Sequence, residues 1–159
     1  MTSSNGGAVD GVITAAIVND YEIIVRGVAA MLAGQPSVRI VEMASDLPVR
    51  TPVDVALYDA FAMPSMAGSD IGEIVASGRV GSVILYTWRA SPALVNEARD
   101  RGLGGVIVKA EPVDSLVRLL HRARAGEFVT SRTIEKPPPR GEPAARSWPG
   151  KDMGLTARE

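Results

Sequence analysis

Asn19, Asp20, Asp59, Thr87 and Lys109 are the residues with which this sequence could do chemistry. Each lies at or just beyond the end of a short apolar run rich in β-branched residues, and in a parallel sheet such ends share the edge where ligands bind. Asp20 and Asp59 would repel each other there unless a divalent cation sat between them. Hard oxygen ligands of this kind suit Mg²⁺, with Asn19 as a weaker neutral donor. Lys109 can pair with phosphoryl oxygens and Thr87 can donate a hydrogen bond to one, so the set describes a site for metal-assisted phosphoryl transfer. A lone strand-end aspartate is more often a cap or a solvated group. The order Asp, Asp, Thr, Lys along successive strand ends is what favours the chemical reading.

The elements that must position these groups follow from periodicity. Continuous apolar runs at 12–18, 38–43, 53–58, 80–86 and 106–108 predict strands covered on both faces. Apolar residues at helical spacing predict helices over 22–33, 70–76, 91–101 and 112–125; in the first, Ile23, Ile24, Val28, Met31 and Leu32 mark the stripe. Ser91-Pro92 reads as an N-cap followed by proline at the first helical position, and Gly34, Gly102 and Gly126 end helices. Strands alternating with helices require right-handed crossovers. The expected fold is therefore a doubly wound α/β sandwich with a five-stranded parallel sheet. One crossover is anomalous: only 46–52, with two prolines, separates the second strand from the third, so the second helix is shortened or missing.

Composition excludes several classes. The chain of 159 residues is 46% hydrophobic and 22% charged, which allows a sizeable core in one domain with a tail. With a net charge of −1 and no long basic run, it lacks the electrostatic footprint of a nucleic-acid binder. With no cysteine and His121 as its single histidine, it offers no disulfide framework, zinc site or thiol catalysis. No apolar run approaches the roughly 20 residues of a membrane span, and the expected compartment is the cytoplasm. Residues 1–11 read as a disordered leader, 12–131 as the folded domain and 132–154 as a proline-rich linker. A nucleotide- or FMN-binding enzyme of the same architecture is disfavoured, because no glycine-rich loop follows the first strand. The Gly102-Leu-Gly-Gly105 cluster precedes a strand and is turn chemistry.

The segments 17–27 (IVNDYEIIVRG), 54–59 (DVALYD), 83–87 (VILYT) and 102–109 (GLGGVIVK) resemble the signatures of response-regulator receiver domains. Residues 110–116 and 125–127 are similar to the end of receivers in the NarL/LuxR class, and 154–159 (GLTARE) resembles the opening of that class's helix-turn-helix domain, the remainder of which is absent from this chain. The resemblance implies a cytoplasmic, homodimeric regulator of transcription rather than an enzyme. It implies a sensor histidine kinase as partner and DNA bound through the helix-turn-helix. Asp59 would be the phosphoacceptor, Asp20 a direct metal ligand, and Thr87 and Lys109 the phosphoryl contacts.

Against that pattern several residues depart. Asn19 stands where a second acid is usual, which weakens cation binding. Trp88 follows Thr87 where a small residue is usual, and its indole could cover the pocket. The loop after Asp59 has one extra residue before Met63-Pro64, displacing the backbone carbonyl near Phe61 expected on the metal. Val106 holds the aromatic switch position, leaving Tyr86 or Trp88 as the ring that could move. The expectation is an atypical receiver, phosphorylated weakly or not at all at Asp59. The alternatives are a conventional Mg²⁺-dependent phospho-Asp59 receiver and a stand-alone receiver acting by protein or small-ligand binding.

Overall fold

The computed structural model describes residues 11–45, 49–59 and 70–132. The elements run β1 (Ile13–Val18), α1 (Glu22–Ala33), β2 (Val38–Ala44), β3 (Val53–Asp59), α2 (Asp70–Ala76), β4 (Val80–Thr87), α3 (Pro92–Asp100), β5 (Gly105–Val108), α4 (Val113–Arg124) and β6 (Val129–Thr130). All neighbours pair in parallel, in the order β2-β1-β3-β4-β5-β6. The sheet therefore has six strands where the sequence predicted five. The extra strand is the two-residue pair Val129–Thr130, too short to register as a periodic run. It can approach because position 105 is glycine: a Cβ there would collide with the Val129 carbonyl.

Alternation along the strands divides the apolar side chains between two cores. Ile13, Ala15, Ile17, Val55, Leu57, Ile84, Tyr86 and Ile107 pack under α1 and α4. Ala16, Val18, Ala56, Val83, Leu85, Val106 and Val108 face the opposite way, toward Ile74 of α2 and Val95 and Ala98 of α3. The buried stripe of α1 is Val25, Val28 and Leu32, whereas Ile23, expected in the stripe, is 78% exposed. Ser91 caps α3 as expected, its Oγ accepting from the Leu94 N–H at 3.2 Å.

No helix occurs among the described residues between β2 and β3, and 46–48 lie outside them. A side chain and a carboxylate stand in its place. Val49, 2% exposed, joins the core shared with α2 and α3, and Glu42 accepts the backbone N–H groups of Arg50 at 2.8 Å and Thr51 at 2.6 Å. The Arg79 guanidinium donates to the Arg50 carbonyl from the other side. At the starts of β1 and β3, Asp54 accepts the N–H and the hydroxyl of Thr14, both at 2.8 Å, with Arg124 of α4 at 3.6 Å. The leader before residue 11, the linker after 132 and residues 155–159 lie outside the described residues.

Candidate functional site

β1 and β3 are adjacent, and the chain leaves β1 for α1 on one face and β3 for α2 on the other, so the strand order reverses between them. The residues at their carboxyl ends must meet at that crevice. Asp59 closes β3, Asn19 and Asp20 follow β1, Thr87 closes β4 and Lys109 follows β5. The backbone fixes these ends: Asn19 N–H donates to the Ala44 carbonyl at 3.0 Å and Lys109 N–H to the Thr87 carbonyl at 2.7 Å.

Three of the expected residues form one buried cluster. Lys109 Nζ donates to Asp59 Oδ2 at 2.8 Å, with side-chain exposures of 3% and 2%. The Asn19 amide nitrogen donates to the same oxygen at 2.6 Å, and its Oδ1 accepts the Tyr21 N–H at 2.7 Å. That second bond is an Asx turn leading into α1, and it fixes the amide: turned over, the side chain would set its NH₂ against the Tyr21 N–H. Thr87 is buried at the neighbouring strand end, where its hydroxyl accepts from Arg89 N–H at a long 3.4 Å. Asp20 is exposed at the rim.

The aromatic residues separate by face. Trp88, 59% exposed, lies with its ring centroid 5.2 Å from Lys109 Nζ, within cation–π range. Tyr86 is 3% exposed in the core under α1 and α4, on the face opposite Thr87, where burial and the nearby Glu111 carboxylate push its phenol up. Val106 is 1% exposed and sealed in the other core. Of the three residues expected to gate the pocket, only Trp88 is both exposed and next to the charged cluster. The loop with Phe61, whose carbonyl was expected on the metal, lies outside the described residues.

A divalent cation needs several oxygens aimed at one point. The Asn19 amide presents its donor to Asp59 and not its oxygen, and among the described residues no three His, Cys, Asp or Glu side chains converge. Among the described residues, the expected Mg²⁺ ligands are not brought to one point. What sequence reasoning missed is the donor role of Asn19. The signal was present: an asparagine two residues before a helix N-cap commonly accepts the backbone N–H at i+2.

No protein-family model matches the chain. It is 29% identical over 121 residues to the transcriptional regulatory protein UhpA of Escherichia coli, an alignment covering 72% of this chain and 60% of that protein. The Salmonella typhimurium UhpA is 29% identical over 154 residues, covering 92% of this chain and 72% of that one. Among solved structures, the isolated receiver domain of RcsB from Salmonella enterica serovar Typhimurium superposes with a TM-score of 0.61 at 22% identity, over 77% of this chain and 95% of that one. The receiver domain of NarL from Mycobacterium tuberculosis gives 0.59 at 23%, over 74% and 99%. No helix among the described residues is long and apolar enough to cross a membrane. The fold is that of response-regulator receiver domains, with the receivers of RcsB and NarL among its structural neighbours and transcriptional regulatory proteins among its relatives in sequence.

Proposed function

We propose that this domain is the regulatory part of a cytoplasmic, DNA-binding transcription regulator whose Asp59 accepts phosphate weakly or not at all. The observation that carries the reading is the Asp59 carboxylate: it is 2% exposed, and its Oδ2 is shared by the Lys109 ammonium and the Asn19 amide. Phosphoryl transfer needs a carboxylate oxygen free to attack in line and a cation to offset charge on the incoming group. Two donors on Oδ2 draw electron density from the whole carboxylate and lower its nucleophilicity, and Trp88 stands over the lysine that would meet the phosphoryl group.

Homodimers and DNA as partners are supported by analogy. RcsB, solved as two dimers bound to two parallel DNAs, shares the fold over 64% of its chain with a TM-score of 0.62. CheY6 of R. sphaeroides, a further neighbour, is described in complex with the P1 domain of CheA3, which supports a sensor kinase as partner. The test is incubation with acetyl phosphate and Mg²⁺ followed by intact-mass spectrometry. At most a small fraction should gain one phosphoryl group; full conversion, abolished in Asp59→Asn, would overturn the proposal.

A further inference from the structure

We propose that Asn19 occupies the cation seat beside Asp59 and so makes this receiver independent of Mg²⁺. The inference rests on the reading of Asp59 as the phosphoacceptor position, and it concerns what holds that carboxylate.

The carboxylate is buried, and a buried anion must be compensated by charge and by hydrogen bonds. Here both are supplied from within the chain. Lys109 gives the charge at 2.8 Å, and Asn19 gives a second donor at 2.6 Å to the same oxygen. A divalent ion bound between β1 and β3 would have to approach Asp59 along the side of the carboxylate that the Asn19 NH₂ now covers. It would also need the Asn19 oxygen turned inward. The Tyr21 N–H prevents that turn, since it holds Oδ1 at 2.7 Å and would otherwise lose its acceptor at the entry to α1. Asn19 is 4% exposed, so water cannot readily take over either bond. Of the expected ligands among the described residues this leaves Asp20, exposed at the rim, and one carboxylate already bonded twice. Asn19 is thus a positioning residue: it acts on any ligand of the pocket through Asp59.

The proposal makes a directional forecast. An aspartate at 19 cannot donate to Asp59. It would place a second carboxylate against the first, a repulsion that a divalent ion relieves. The test is thermal unfolding of the whole chain with 0 and 10 mM Mg²⁺, together with calorimetric Mg²⁺ titration. The wild-type chain should show no saturable binding and no change in Tm, while Asn19→Asp should bind and gain about 4 °C. Asn19→Ala, which removes the blocking amide without adding charge, should gain a smaller rise in the same direction. A wild-type rise equal to that of Asn19→Asp overturns the proposal, as does the absence of any rise in Asn19→Ala. Because the readout is cation binding and not phosphorylation, a chain that ignores Mg²⁺ yet accepts phosphate would overturn the functional reading while leaving this one standing.

Discussion

Lys109 and Asp59 form a salt bridge of 2.8 Å in which neither side chain is more than 3% exposed. Burial changes what such a pair does. Removing one partner strands the other charge away from water, at a cost of about 3–5 kcal/mol, whereas replacing both by apolar groups is close to neutral. Lys109→Met should therefore lower unfolding stability by about 3 kcal/mol, the lower end of that range, because Asn19 still donates to the orphaned carboxylate. The double variant Lys109→Met/Asp59→Leu should recover most of the loss. Urea unfolding of the four chains of the cycle measures the coupling, and a value near zero would mean that the pair is not held together in solution.

Trp88 tests whether the cluster is shielded. A cation–π contact at a partly exposed ring contributes about 0.5–1 kcal/mol, so Trp88→Ala should barely move the unfolding midpoint. Its effect on reactivity should be larger, because it removes the ring standing over Lys109. The phosphorylated fraction after acetyl phosphate treatment should rise in Trp88→Ala and stay at the wild-type level in Trp88→Phe. Equal fractions in all three chains would rule the ring out as a shield.

These two relationships show where the sequence was readable. The strand ends carrying Asp59, Thr87 and Lys109 were legible because each follows a continuous apolar run, and the parallel fold forces such ends together. The stripe of α1 differs from expectation at Ile23, since Ile23 and Val25 are both strongly apolar and only packing against the sheet selects Val25. β6 was not legible: two residues carry no period, and their pairing depends on Gly105 having no Cβ. Asn19 was recognised as a departure, but not as a donor. Which end of an amide faces a carboxylate depends on its other partner, here the Tyr21 N–H, and that is a property of the folded turn.

Acid should weaken the fold through carboxylates away from the pocket. Burial raises the Asp54 carboxyl, but the Thr14 N–H and hydroxyl and the Arg124 guanidinium outweigh it and hold the group below its ordinary value. Glu42 behaves alike: slight burial raises it, and the Arg50 and Thr51 donors bring it below the ordinary glutamate value. A carboxyl depressed in the folded state contributes stability above its unfolded pKa and loses it as pH falls through the folded value. Urea midpoints should therefore be flat from pH 7 to about pH 5 and fall below pH 4. Asp54→Asn should start lower and fall less steeply over that acid range. A parallel curve for Asp54→Asn would show that the acid loss arises elsewhere.

The crossover from β2 to β3, with no helix among its described residues, raises the question of what holds it. Two devices are present, the burial of Val49 and the bonds from Arg50 and Thr51 to Glu42. Their magnitudes differ. Val49→Ala removes two buried methyl groups from a packed site, worth about 2 kcal/mol with the cavity left behind. Glu42→Ala breaks solvent-exposed hydrogen bonds that water can replace, so its cost should be under about 1 kcal/mol. The effects on local motion should be reversed. Glu42→Ala should speed amide exchange at Arg50 and Thr51 severalfold while leaving β1 and β3 protected, whereas Val49→Ala should lower protection across the β1 and β3 core it covers. If Glu42→Ala costs more than Val49→Ala, the connection is held by its hydrogen bonds, and Val49 does not replace the packing of the missing helix.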